Sequence, residues 1–342
     1  MSENACGNSR VRLSIVIPNG RGLPEKLLLQ LFGQCIDGDE ILVVRNLPSA
    51  AWTFSEPNAK HRPSPDELIP EVSQRVAGMT AAARASNTDL KLLESPAGAA
   101  SARNVGWRHA ANELILFIDD DVTLSHSFLT DVREAAVEDR DIGVMTFRVR
   151  SRGTGNDAGL REVVDLDRGS VSLRSNRSVA LPLREMWRFG AGAAMLARRE
   201  TLSEIDGFKA ELGAGRKNGG AEDLEFLWHA THHTCIAYRA NVVVYHGIDG
   251  SPHVTQRKSV HYGRAIGALA GTTRRFDGTR MAANYCAYLV RGGMVTRDAS
   301  RQRRGLLVTQ VWIVVAIVET IRVYVLALLL NRRSLVLCPE CR

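Results

Sequence analysis

Leu114-Ile115-Leu116-Phe117-Ile118-Asp119-Asp120-Asp121-Val122 sets an unbroken apolar run directly against three consecutive carboxylates. Five apolar residues without alternation read as a strand buried on both faces. Carboxylates crowded at the end of such a strand repel one another and lose hydration, which is unfavourable unless a cation neutralises them. A hard divalent cation, Mg2+ or Mn2+, suits oxygen ligands and commonly sits between one or two carboxylates and a substrate's phosphates. A solvated acidic turn is the plainer alternative, but it has no reason to abut a buried strand. The stretch therefore predicts a metal–diphosphate site at the C-terminal end of a sheet strand, where α/β sheets place their ligands.

Upstream, short β-branched runs alternate with helical patterns. Leu13-Ser14-Ile15-Val16-Ile17-Pro18 reads as a buried strand, and Pro24 to Gln34 as a helix. Glu40 to Val44 and Lys91 to Glu94 read as further strands, and Ser101 to Ala111 as a helix. Strand–helix alternation implies a parallel sheet covered on both faces. Residues 48–87 are rich in proline at first and then in alanine near Val72 to Ala85, and read as an insertion. Downstream come the Gly/Ala-rich run Gly190 to Leu196, a helix from Glu200, a glycine-rich loop at Gly213 to Gly220, a helix from Glu222 and a strand at Val242 to Tyr245.

Composition bounds the class. With 342 residues and 45% hydrophobic side chains, the chain is long enough for a core that needs no disulfide or metal staple. The formal net charge of +7 is unevenly placed. Residues 1–250 hold 29 basic and 33 acidic side chains; residues 251–342 hold 15 basic and 4 acidic ones. An acidic body argues against a nucleic-acid partner, which calls for a basic face on the folded module. Of the six cysteines, only Cys338 and Cys341 have ligand spacing, and they lack a second pair. Free thiols in a reducing compartment are expected. The first apolar run is interrupted by Arg12 and has no charged leader before it, so no signal peptide is expected.

Two more constellations carry chemistry. In Gly219-Gly220-Ala221-Glu222-Asp223-Leu224-Glu225 a glycine-rich loop enters a helix through an acidic pair. Acidic side chains at a helix N-terminus are often only caps. Coupled to the Asp119–Asp121 cluster, the pair becomes a candidate general base. Val244-Tyr245-His246-Gly247 places a histidine after a strand, either structural or completing the metal sphere or touching the diphosphate. Arg257, Lys258, His261 and Arg264 form a basic helical segment, either a solvated face or a cradle for a departing phosphate.

Gly305 to Leu330 is an apolar helical stretch interrupted by Glu319 and Arg322 and flanked by arginines. Its uninterrupted pieces are shorter than a simple spanning helix needs. It suits a helix lying in a membrane interface or a span with an internal ion pair, so residues 297–333 are expected to contact a membrane. Packing on the protein's own core is the plainer expectation.

Together these pieces resemble glycosyltransferases of family 2 with the GT-A fold, of the non-processive bacterial type. The resemblance rests on Leu13 to Pro18, on Gly98-Ala99-Ala100-Ser101-Ala102-Arg103-Asn104-Val105-Gly106, and on Asp119 to Asp121. Gly207-Phe208, Glu222-Asp223 and His246 complete it, so that it spans about residues 11–270. It implies a GT-A fold: a Rossmann-like mixed sheet with helices on both faces, followed by an apolar helical tail. Asp119 to Asp121 match the family's DxD element, with Asp119 and Asp120 toward the donor and Asp119, Asp121 and His246 toward the metal. Pro18, Arg103 and Asn104 fall among the donor-binding positions. Asp223 matches the catalytic base, with Glu222 beside it. Gly190 and Gly192 lie on the strand that lines the acceptor pocket. Arg257, Lys258 and Arg264 are expected at the diphosphate.

The resemblance thus implies a metal-dependent inverting transfer of one sugar from a nucleotide-diphosphate sugar to a glycan or lipid-linked acceptor of the cell envelope, at the cytoplasmic face of the membrane. After the second strand, Arg45-Asn46 stand where the family usually has base-reading Asp residues. The Q-x-x-R-W element of processive synthases is absent. A sugar-phosphate nucleotidyltransferase would leave the Glu222-Asp223 helix without a role, and a non-catalytic membrane scaffold would predict decay of one acidic site. The expected organisation is a disordered 1–10, a nucleotide-sugar half 11–125, an acceptor and catalytic half 126–270, and a basic, membrane-associated tail 271–342.

Overall fold

The computed structural model describes residues 11–20, 22–47, 65–151, 161–162, 171–173, 192–213, 222–246, 260, 262–264, 266–271, 275–290 and 303–336. Alternation carries through the first part of the chain: β1 (Leu13–Asn19), α1 (Glu25–Phe32), β2 (Glu40–Asn46), α2 (Pro65–Ala85), β3 (Asp89–Ser95), α3 (Ala99–His109) and β4 (Leu114–Ile118). Next come β5 (Val122–Leu124), α4 (Phe128–Glu138), β6 (Ile142–Ser151), β7 (Arg161–Glu162), β8 (Val171–Leu173), β9 (Ala194–Arg198) and β10 (Cys235–His246). Among the described residues the strands form one sheet in the order β3-β2-β1-β4-β9-β6-β10-β5, with β7 beside β6 and β8 beside β10.

The four N-terminal strands of this order are parallel, as strand–helix alternation predicts. The sheet as a whole is mixed. β9 runs antiparallel to both β4 and β6, and β5 runs antiparallel to β10. This is the mixed sheet that the resemblance implies; strand patterns do not give its directions, because a doubly buried strand has the same residue pattern in either one. Only backbone pairing fixes its sense.

Successive side chains alternate between the sheet's faces, and both faces are covered. Leu13, Ile15 and Ile17 of β1 and Leu114, Leu116 and Ile118 of β4 join one core, with Leu28 and Leu31 of α1 and Phe128 and Val132 of α4. Val16, Leu42, Ile115 and Phe117 join the other, with Ala100, Ala102 and Trp107 of α3. Gly106 lets α3 sit on β1: a Cβ there would overlap Val16 Cγ1 and stand 3.0 Å from its Cγ2. Gly106→Ala is expected to cost about 1–3 kcal/mol by overpacking. Gly78→Ala, in an open position of α2, is expected to gain up to about 1 kcal/mol. Thermal denaturation of the two variants checks the contrast.

Cys35, Cys235 and Cys286 are free thiols. The N-terminal ten residues, the proline-rich 48–64 and Cys338 and Cys341 lie outside the described residues. The C-terminal helix runs Arg303–Val336. Its Ala316 and Thr320 are fully buried, so its inward face packs on the body as the plainer expectation had it. Glu319 pairs with Arg322 at 2.9 Å and with Arg264 at 2.8 Å, which realises the internal ion pair. Among the described residues, no helix is long and apolar enough to cross a membrane.

Candidate active site

The acidic cluster is built by one turn and one strand pairing. The chain leaves β4 at Ile118, turns through the three aspartates and enters β5, which pairs with the end of β10. In that register His246 opposes Val122, the neighbour of Asp121. His246 Nε2 therefore lies 3.2 Å from Asp121 Oδ1 and 4.0 Å from Asp119 Oδ2. Ligand atoms of Asp119, Asp121 and His246 all fall within 4.8 Å of one another. Two hard oxygens and one imidazole fit a small divalent cation, and the imidazole favours Mn2+ over Mg2+. Asp120 turns the other way. Its Oδ2 accepts the Gly20 N–H at 3.0 Å and Asn19 Nδ2 at 3.4 Å, tying the ends of β1 and β4. Pro18 is buried one residue before that tie, paired with Val44.

Arg103 joins the cluster to the acidic helix Glu222–Ala230. Its Nη2 donates to Asp119 Oδ1 at 2.9 Å and to the Gly192 carbonyl at 3.1 Å; its Nη1 donates to Glu222 Oε1 at 2.8 Å. The side chain is 2% exposed. Burial opposes its charge, but Asp119 and Glu222 outweigh burial and hold the guanidinium above the ordinary arginine range. Its guanidinium also lies 5.5 Å from the Phe208 ring centre. Phe208 is stacked on Phe226 at 4.3 Å and meets Phe117 edge-on at 5.1 Å.

Asn104 lies beneath this platform. Its Nδ2 donates to the Phe208 carbonyl at 2.6 Å and its Oδ1 accepts the Phe208 N–H at 2.8 Å. Gly207 makes that approach possible: φ is +73°, and a Cβ would overlap Asn104 Oδ1. The Arg103-Asn104 and Gly207-Phe208 pairs thus form one unit, with Asn104 fixing the aromatic that carries Arg103.

Asp223 is 5% exposed. Its Oδ2 accepts the Gly192 N–H at 2.9 Å and its Oδ1 the Leu224 N–H at 2.8 Å. Burial first, and then the Glu222 charge, push its carboxyl up to about 6, against the pull of Arg103 and the two N–H groups. Burial likewise raises the Asp119 carboxyl against Arg103 and His246. The first turn of the helix carries a third acid, Glu225, which turns away to Lys209 and to His229 at 3.0 Å. Glu222 and Asp223 face the cluster instead, which a purely capping role does not require.

The Gly192 main chain serves both Arg103 and Asp223, and a Cβ there would stand 2.8 Å from Arg103 Nη2. Arg264 is turned to Glu319 of the C-terminal helix. Gly190, Arg257, Lys258, His261 and the loop 214–221 lie outside the described residues. Tyr262 is the residue that sequence reading passed over. The charges of Asp223, then burial, then Glu222 and Asp119 hold its phenol well above its usual range. No local pattern marks it, since a tyrosine one place after His261 in a basic segment has many ordinary roles. A cavity of about 490 Å³ at the opposite edge of the sheet, lined by Asp37, Glu40, Arg84 and Lys91 among others, is remote from these groups.

Residues 75–205 match the family model described as glycosyl transferase family 2. No curated protein matches the chain. Among solved structures, S. aureus TarS 1–349 in complex with UDP-GlcNAc is similar at 15% identity, with TM-score 0.52 over 95% of this chain and 92% of that one. The mannosyltransferase PcManGT from Pyrobaculum calidifontis, in complex with GDP-Man and Mn2+, is similar at 16% identity, with TM-score 0.54 over 91% and 87%. The chain spans 44% of the longer S. aureus TarS chain. At such identities the likeness concerns the fold, and the fold is GT-A.

Proposed function

We propose, from the match of residues 75–205 to the family model described as glycosyl transferase family 2, that this GT-A glycosyltransferase moves a single sugar from a nucleotide-diphosphate donor to a hydroxyl acceptor with inversion. The observation that carries the reading is Asp223: a nearly buried carboxyl raised to about 6, held by the Gly192 and Leu224 N–H groups and joined through Glu222 and Arg103 to the Asp119–Asp121–His246 cluster. An acceptor hydroxyl becomes a competent nucleophile when a carboxylate takes its proton during attack, and a pKa near neutrality suits that task. Asp223 takes that proton. Arg103 holds Asp119 and Glu222 in register through one nitrogen each. Gly192, in the turn just before β9 rather than on the strand itself, holds the base through its N–H. Attack from the face opposite the departing diphosphate inverts the anomeric carbon.

Asp119, Asp121 and His246 would hold the divalent cation. When bound, it supplies Lewis-acid stabilisation of the charge gathering on the departing nucleotide diphosphate. Asp120, Pro18, Arg103 and Asn104 shape the donor side, and Arg257 and Lys258 serve the diphosphate. Arg264 would join them only after leaving Glu319. The acceptor is a glycan or lipid-linked molecule of the cell envelope, met at the cytoplasmic face of the membrane through residues 297–333. The nucleotidyltransferase alternative leaves Asp223 idle, whereas Arg103 links its neighbour Glu222 directly to Asp119.

A panel of nucleotide sugars with Mn2+, read by released nucleotide, tests the reading and names the donor. Chelation is expected to suppress turnover, and Asp121→Ala to weaken nucleotide-sugar binding by at least about tenfold. Binding that is indifferent to both would remove the metal from the mechanism.

A further inference from the structure

The C-terminal helix has two working faces. Inward, it lies on a seam of three glycines spaced four apart, Gly263, Gly267 and Gly271, each in helical backbone among the described residues 260, 262–264 and 266–271. A Cβ on Gly263 would stand 2.5 Å from Thr320 Oγ1 and 2.9 Å from the Ala316 carbonyl; on Gly267 it would overlap the Thr320 carbonyl; on Gly271 it would stand 2.9 Å from the Tyr324 carbonyl. Small residues in this spacing let two helix backbones pack directly. Arg264 Nε to Glu319 Oε2 at 2.8 Å and Thr279 Oγ1 to Tyr324 Oη at 2.6 Å pin the same face. The seam begins next to Tyr262, which packs against the core that holds Phe208 and Leu224 and Phe226 of the acidic helix. The helix is therefore fixed to the wall of the active site, not tethered to it by a loose linker.

Outward, Val311, Val314, Val318, Ile321, Val325 and Leu329 are each 45–61% exposed along one stripe. Nothing among the described residues covers them. At about 100° per residue, Arg303, Arg304, Arg332 and Arg333 fall on the same side of the helix as this stripe, two at each end. The one carboxylate along the stripe, Glu319, sits at its margin and is neutralised by Arg264 and Arg322. An apolar stripe with cationic ends and no net acid matches the cross-section of an anionic bilayer surface: acyl chains for the valines, headgroup phosphates for the arginines. A second copy of this chain would bring the arginine pairs of two helices into one interface, where like charges repel.

We infer that the outward face of the C-terminal helix is a docking surface for an anionic bilayer, and that the glycine seam behind it transmits docking to the wall carrying Tyr262, so that transfer accelerates on the membrane. The inference rests on the transferase reading for its second half only. Flotation of the full-length protein with vesicles decides the first half without any sugar donor. The protein is expected to float with phosphatidylcholine–phosphatidylglycerol vesicles and to float poorly with phosphatidylcholine alone. Val318→Asp with Ile321→Asp abolishes flotation while leaving the fold, read by circular dichroism, and the turnover in free solution unchanged. Arg303→Gln with Arg304→Gln lowers partitioning roughly thirtyfold. With the donor found by the panel, the anionic vesicles raise nucleotide release several-fold in the natural chain. They do not do so in Gly267→Leu, which floats but has its seam wedged open. Failure to float, or a stripe variant that turns a dimer into a monomer, overturns the docking. Flotation with unchanged turnover overturns the coupling. A protein that floats but releases nucleotide from no donor counts against the transferase reading and leaves the docking standing.

Discussion

Asp223→Asn is expected to lower turnover by about 10²–10⁴-fold and, at neutral pH, to make the protein more stable. The two effects have one cause. A carboxyl displaced from 3.8 to about 6 by burial and by Glu222 is less comfortable ionised in the folded chain than in the unfolded one. At pH 7 that difference costs the natural protein about 3 kcal/mol. The amide is never charged, so it escapes this cost but loses one N–H bond, from Gly192 or Leu224, worth about 1 kcal/mol. A net gain of about 1–2 kcal/mol remains. The sign with pH follows from the raised value. The cost is absent below the ordinary carboxylate range, grows as pH rises toward about 6, and is complete above it, so the gain disappears near pH 4. Denaturation at pH 4 and pH 7 measures it. The same group sets the rate profile of the natural enzyme, which is expected to climb about tenfold per pH unit below about 6 and then level. A carboxylate with a merely structural role would give the opposite stability result, with the variant weaker at pH 7.

Arg103→Met is expected to abolish activity and to cost about 3–5 kcal/mol, the usual penalty for removing one partner of a buried ion pair. Among the described residues, this guanidinium touches Asp119, Glu222 and the Gly192 carbonyl together. Without it, two carboxylates are left facing each other across a buried space. Arg103→Lys keeps the charge but places it at one point, whereas the fork spans Asp119 with one nitrogen and Glu222 with the other. Lysine is therefore expected to recover part of the stability and little of the turnover. Adding Glu222→Gln to Arg103→Met removes one of the stranded charges and should restore part of the lost stability without restoring activity. Urea denaturation of the single and double variants measures the coupling. An Arg103→Met protein as stable as the natural one would show that the guanidinium is not what balances these acids.

Most of the N-terminal part of the sheet was legible in the chain itself. Leu114–Ile118 is the strand that its residues predict, residue for residue, and the other parallel strands lie within a few positions of their apolar runs. The third strand, faint at Lys91 to Glu94, extends over Asp89–Ser95 because pairing with β2 supplies what its mixed side chains do not. The acidic turn after β4 was equally plain, since adjacent carboxylates against a buried strand are a local feature. Tyr262 and the glycine seam were not legible, since a tyrosine in a basic segment and glycines in a helix have many ordinary explanations until a partner is seen.

Sequence alone determined the elements, the parallel core and the identity of the acids, because each depends on a periodicity or a local charge density within a few residues. Tertiary structure alone decided which acids act together. Arg103 meets Asp119 from 16 residues away and Glu222 from 119, Gly192 reaches Asp223 across 31, and His246 meets Asp121 only because β10 pairs with β5. It also turned one apolar helix into two faces, one pressed on glycines and one left outward. Burial and charge balance are sums over neighbours that the chain brings together only on folding, so no local pattern carries them.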